Sequence, residues 1–136
     1  MKTKNMSFSF QMALTLVISS LILVHSQHAA ISIIEAISPS HLEKIIKEQQ
    51  KPLVIDFYSD SCGPCKTMAP IFNNYADKYC SHITFIKANT SKNHNFIEHY
   101  KIRNLPCFLL LDKTGKEIKK IIGSDSVALE TAIKKL

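Results

Sequence analysis

Two cysteines with two residues between them, Cys62-Gly63-Pro64-Cys65, stand where one periodicity gives way to another. Before them, Pro52-Leu53-Val54-Ile55 is a short apolar run with β-branched residues, which predicts a buried strand. After them, Met68, Ala69, Ile71, Phe72, Tyr75, Ala76 and Tyr79 recur at three- and four-residue steps, which predicts a helix with a wide apolar face. The pair therefore sits where a strand hands over to a helix. Cys62 falls at the helix N-terminus, where unpaired N–H groups and the helix dipole favour a negative sulfur, and Lys66 adds a nearby cation. A thiolate is the attacking species in disulfide exchange, so Cys62 is the expected nucleophile. Cys65 is close enough in sequence to close a disulfide with it and release a bound partner. Pro64 lies in the first turn, where its missing N–H costs nothing. A bare Cys-x-x-Cys also serves as half of a zinc site, and only context separates the two readings.

The surrounding pattern supplies that context. Ile31 to Ala36 reads as a first strand, followed by Ser38 as a helix N-cap and Pro39 at the first helical position. Leu42, Ile45 and Ile46 form the stripe of a short helix. Thr84 to Ala88 alternates into a strand, and Phe96, Ile97 and Tyr100 mark a brief helix. Cys107 to Leu111 is a dense apolar strand, Asp112-Lys113-Thr114-Gly115 a turn, and Glu117 to Ile122 a last strand. A terminal helix carries Val127, Leu129, Ala132, Ile133 and Leu136 on its expected apolar face. The order is β-α-β-α-β-α-β-β-α. Helical crossovers require parallel pairing and the Gly115 turn an antiparallel pair, so the expected fold is α/β with a mixed sheet and helices on both faces.

Asp56 stands within the central apolar strand, six residues before Cys62. A buried lone carboxyl is costly and shifts its pKa upward rather than staying ionised; the alternative is a strand-end aspartate facing solvent. Pro106 cannot donate to a ladder and belongs at a strand start.

Taken together, Cys62-Gly63-Pro64-Cys65, Asp56, Pro70, Lys87, Leu105-Pro106, Gly115 and Gly123, in that spacing, resemble the thioredoxin family over most of residues 31 to 136. The resemblance implies the thioredoxin fold and a thiol–disulfide oxidoreductase using a Cys62–Cys65 redox disulfide. It implies that Asp56 is a buried acid assisting proton transfer at Cys65, and that Leu105-Pro106 is cis, presenting backbone where an extended substrate pairs. Lys87 aligns with a family lysine beneath the acid, although the strand pattern alone reads it as a surface lysine. The implied partners are disulfide-containing client proteins and an electron donor, such as a thioredoxin reductase or a membrane thiol carrier; no cofactor is implied. A non-enzymatic binding module on the same fold is the alternative, against which the retention of both cysteines and Asp56 speaks. Three positions depart from the family: Asn104 stands where its members often have glycine, and the other two concern tryptophan. Tyr58 and Ser61 stand where thioredoxins commonly carry tryptophan, and Ser61 removes a large flat surface beside the nucleophile.

Cys80 and Cys107 complete a set of four cysteines, for which a two-disulfide reading has three connectivities. Cys80 lies some 20 Å from Cys65 along a helix rising about 1.5 Å per residue, while Cys107 follows Pro106 at the active-site end. That separation exceeds the roughly 7 Å Cα limit for a bridge. Cys80 is expected as a free or buried thiol and Cys107 as strand packing. His82, His94 and His99 have no fixed spacing to the cysteine pair, so no metal centre is expected.

Residues 1–30 read differently. Lys2 and Lys4 form a basic start, Met12 to Val24 an apolar run of 13 residues, and Ser26, Ala29 and Ala30 offer small residues for cleavage. The run fits a signal-peptide core of about 7–15 residues and falls short of the roughly 20 that span a bilayer, though Phe8 and Phe10 extend it toward a membrane anchor. Either reading exports the domain at 31–136, to a periplasm or a secretory lumen. Without Lys2 and Lys4 the formal charge falls from +6 to +4, spread over scattered lysines with no aromatic interleaving. That describes a solvated basic surface rather than a nucleic-acid site, and a monomer is the expected form. N-terminal sequencing of protein recovered from the exported fraction is expected to begin between about residues 27 and 31; an intact Met1 on membrane-bound protein would mean an anchor.

Overall fold

The computed structural model describes residues 33–136, and the expected leader at 1–30 lies outside the described residues. Five strands and four helices follow the order read from the sequence: β1 (Ile33–Ala36), α1 (Pro39–Glu48), β2 (Leu53–Tyr58), α2 (Gly63–Tyr79), β3 (Thr84–Asn89), α3 (Asn95–His99), β4 (Cys107–Leu111), β5 (Glu117–Ile122) and α4 (Ser126–Ile133). The sheet order is β1-β3-β2-β4-β5. β2 runs parallel to β3, which runs parallel to β1; β4 is antiparallel to both β2 and β5. The mixed sheet is the one that crossovers and a single hairpin demand.

Local signals set the element ends. Ser38 caps α1 by accepting the His41 N–H at 3.1 Å, ahead of Pro39. Asp125 does the same for α4, accepting from the Ala128 N–H at 2.8 Å. The β4–β5 turn closes on Gly115 at φ +82°, where a Cβ would also meet Ile46 Cγ2 at 2.8 Å, so neither the backbone nor the space admits a side chain. α2 runs on through Pro70 to Tyr79.

Alternation along the strands divides the core in two. Ile55, Phe57, Ile86, Ala88, Cys107 and Leu109 face α1 and α3, packing on Leu42, Ile45 and Phe96. Val54, Phe85, Phe108, Leu110 and Ile121 face α2 and α4, packing on Met68, Phe72, Ala76 and Leu129. β2 is buried from Leu53 to Phe57 because it has a strand on either side and a helix over each face. One expected core residue is misplaced. Val127 is 74% exposed, because α4 turns Leu129, Ala132 and Ile133 to the sheet and leaves Val127 on the opposite side.

That contrast is directly measurable. Leu129→Ala, at a fully buried position, is expected to cost about 2–5 kcal/mol in denaturant unfolding. Val127→Ala is expected to stay within about 0.5 kcal/mol of the parent, apart from a small gain in helix propensity.

Candidate active site

β2 ends at Tyr58 and α2 begins at Gly63, so Ser59 to Cys62 make the whole connection between them. Cys62 is the N-cap of α2 with extended backbone (φ −81°, ψ 107°), and the Cys65 backbone N–H points at Cys62 Sγ from 3.2 Å. A cap position normally filled by an oxygen acceptor is here filled by sulfur. Cys62 and Cys65 are joined in a disulfide with their Cα atoms 5.3 Å apart. Their surroundings differ: Cys62 is half-buried, whereas Cys65, inside the first turn, is 5% exposed. Gly63 and Pro64 are exposed, and a Cβ at Gly63 would meet nothing within 4 Å, so open surface adjoins Cys62.

Asp56 lies on the same sheet face that α2 covers, two residues from the end of β2 that leads into the cysteine loop. It is 3% exposed, and its Oδ1 has no hydrogen-bond partner among the described residues. Burial is the largest influence on it and raises its pKa to about 7; the Lys87 ammonium opposes that rise and Glu35 adds to it. Lys87 is not the plain surface lysine suggested by its strand. It is half-buried, in register with Asp56, with its ammonium donating to Asn73 Oδ1 on α2 at 2.8 Å and lying 5.7 Å from the Phe72 ring centre. The pairing of neighbouring strands decides its surroundings, which no single-strand pattern records.

Pro106 is buried, the Leu105-Pro106 bond is cis, and the Pro106 carbonyl accepts the Gly123 N–H at 2.8 Å. Phe57 pairs with Cys107, which puts Pro106 opposite the last residue of β2 and so at the cysteine end of the sheet. Cys107 itself points to the other face and is 1% exposed; burial pushes its thiol up to about 11. Cys80 caps the far end of α2, and both it and Cys107 are free. Among the described residues no cluster of three His, Cys, Asp or Glu side chains is placed to hold a metal ion.

Three polar residues that local pattern does not single out hold the cysteine loop. The Thr90 N–H and hydroxyl both donate to the Tyr58 carbonyl, at 2.8 and 2.9 Å. Asn89 donates through Nδ2 to Asp60 Oδ1 at 2.8 Å, and its Oδ1 accepts the Ser91 N–H at 2.9 Å. Ser91 Oγ in turn accepts the Asp60 N–H at 3.1 Å. Asn89 and Thr90 are buried, so these bonds satisfy groups that water does not reach. The available signal was a run of short polar residues just past a strand, Asn89-Thr90-Ser91, at the end where parallel β2 also stops.

Comparison with known proteins follows the same lines. The thioredoxin family model matches residues 33–135. A thioredoxin of Acidithiobacillus ferridurans is 38% identical over 71% of this chain and 88% of its own. Thioredoxin-1 of Schizosaccharomyces pombe is 35% identical over 74% of this chain and 96% of its own. Among solved structures, the oxidised mitochondrial thioredoxin 3 of Saccharomyces cerevisiae superposes with a TM-score of 0.70 at 34% identity, covering 77% of this chain and 96% of that one.

Asp56 links the site to stability. Its folded pKa lies above the ordinary carboxyl value, so between about pH 4 and pH 7 the folded state binds more protons than the unfolded one. Stability is therefore expected to fall as pH rises through that window and to level off above it. Asp56→Asn is expected to flatten the profile and to raise stability at pH 8 by up to about 4 kcal/mol, read by denaturant unfolding at several pH values.

Proposed function

The chain belongs to the thioredoxin family and is a thiol–disulfide oxidoreductase, and from that premise we propose that Cys62 is its nucleophile, Cys65 its resolving thiol and Asp56 the acid–base group of the second step. One observation carries the assignment: Cys62 caps α2 with a backbone N–H aimed at its sulfur, while Cys65 is enclosed one turn in. After reduction, that N–H and the helix dipole favour a thiolate on Cys62.

Members of the family act on disulfide substrates and work with reductase partners. In the proposed cycle the Cys62 thiolate attacks one sulfur of a client disulfide, forming a mixed disulfide as the other client sulfur leaves as a thiolate and takes a proton. Cys65 then gives its proton to the Asp56 carboxylate and attacks Cys62 Sγ. The Cys62–client bond breaks, and the second client sulfur departs as a thiolate and takes a proton. Asp56 later releases its own, and two electrons have passed from the dithiol to the client. A carboxyl with a pKa of about 7 is suited to this exchange, because both of its protonation states are populated at neutral pH. Gly63, Pro64 and Pro106 support the pair by shaping the surface around it. A reductant acting on the exported side, where disulfides persist, requires electrons from outside. A membrane thiol carrier or a reductase of that compartment fills the role. We propose residues 1–30 as the export signal and a monomer as the working form, its clients being folded proteins with exposed disulfides. Open surface beside Gly63 and the serine at 61 suit bulky clients at the nucleophile.

The roles are separable by substitution. Cys62→Ser is expected to abolish insulin reduction and to capture no client. Cys65→Ser is expected to lose turnover and accumulate mixed disulfides through Cys62, visible on non-reducing gels. Alkylation of the reduced protein across pH is expected to modify Cys62 first. Capture by Cys62→Ser alone, or prior alkylation of Cys65, would reverse the two assignments.

A further inference from the structure

The registers of the five strands place Glu35, Lys87, Asp56, Phe108 and Ile121 in one row across the sheet, on the face that α2 and α4 cover. Lys87 on β3 therefore has a carboxylate on each side, Glu35 on the edge strand β1 and Asp56 on β2. Neighbouring strands lie about 4.8 Å apart, so the backbone positions of Glu35 and Asp56 flank that of Lys87 at comparable spacing, about 10 Å from each other across the sheet. Neither acid is hydrogen-bonded to the ammonium, which is directed to Asn73 Oδ1 instead. Glu35 is fixed in this arrangement by the Tyr58 hydroxyl, which reaches across the row to donate to Glu35 Oε1 at 3.2 Å. Burial, followed by the Glu35 charge, pushes the Tyr58 hydroxyl up to about 12, so it remains a donor through the working range.

We propose that Glu35 is a positioning residue of the reaction: held by Tyr58 on the far side of Lys87, its charge offsets the pull of the lysine on Asp56. The proposal rests on the assignment of Asp56 to the second step. The groups bearing on Asp56 are few. Lys87 and Glu35 face it from β3 and β1, Tyr58 lies two residues along its own strand, and Cys65 opens α2 at the same end of the sheet. Phe108 from β4 and Met68, Phe72 and Leu129 from the helices are apolar, and Cys107 lies on the opposite face. Lys87 stabilises the ionised form of Asp56 and Glu35 opposes it. With only one cation among these groups, the balance turns on whether the second acid carries its charge. Glu35 is exposed, so its influence is that of a screened charge rather than a buried one.

The direct reading is a carbon-13 NMR titration of the Asp56 carboxyl in the oxidised protein. Glu35→Gln keeps an oxygen acceptor for Tyr58 and removes the charge; it is expected to lower the Asp56 midpoint by about 0.2–0.7 pH units, the span a screened surface charge supports. Glu35→Asp, which keeps the charge, is expected to restore most of the parent midpoint. The Gln shift is expected to shrink in high salt. An unchanged or raised midpoint in Glu35→Gln overturns the proposal. A kinetic arm separates this from the reading beneath it. The pH profile of mixed-disulfide resolution is expected to move down in Glu35→Gln and to show no such movement when Asp56→Asn is already present. A shift that persists without Asp56 overturns the proposal. If Asp56→Asn alone leaves resolution untouched at every pH, the role of Asp56 fails, while the titration still decides whether Glu35 governs its ionisation.

Discussion

A carboxyl group buried in the middle of β2, with one oxygen unpaired among the described residues, is the constraint around which this site is arranged. An apolar residue there would pack without penalty. The strand instead carries Asp56 between Ile55 and Phe57, on a face otherwise lined by Val54, Phe72 and Phe108. Leaving a buried polar group unsatisfied costs about 1–3 kcal/mol, and ionising it there costs more. The fold tolerates this because β2 is supported on all sides, by β3, β4 and the two helical layers. The same enclosure raises its pKa to about 7, which is what suits it to the proton exchange proposed for it.

The cysteine pair depends on a different feature of the same strand. β2 ends with its carbonyl at Tyr58 anchored by Thr90, and the next residues are tied to Asn89 and Ser91. The loop therefore enters α2 from a fixed direction, which brings Cys62 to the cap position and carries Cys65 inside. Beside this loop Tyr58 reaches back to Glu35 and Ser61 is exposed. Polar tethering to the end of β3 holds the loop.

Helix-end electrostatics and burial act on the two sulfurs in opposite senses. The N-terminal N–H groups favour charge on Cys62, whereas enclosure favours the neutral thiol on Cys65. Cys107 illustrates burial without such compensation: on the opposite face of the sheet, its thiol is pushed up to about 11. Position relative to a helix terminus separates Cys62, the proposed nucleophile, from Cys107 in the sheet.

Much of this was legible from local pattern. The apolar run into Asp56, the Cys-Gly-Pro-Cys turn and the helical spacing of Met68, Phe72 and Ala76 follow from periodicities of two and 3.6, so the element order and the cap position of Cys62 were readable in order along the chain. Ser38, Pro39 and Gly115 announced their turns for equally local reasons. What sequence could not supply was lateral. Strand pattern alone does not say whether Lys87 meets solvent or, as the family resemblance implied, an acid. That depends on which residue of a strand distant in the chain lies beside it, and β3 is inserted between β1 and β2. The row Glu35–Lys87–Asp56, the bonds from Asn89 and Thr90 to the cysteine loop, and the outward turn of Val127 all arise from register and helix rotation. The sequence by itself determined the elements and the reactive pair, because backbone preference and side-chain periodicity act over a few residues. Only the tertiary structure decided which charges share the space around Asp56, because electrostatic and hydrogen-bond partners are set by distance in space.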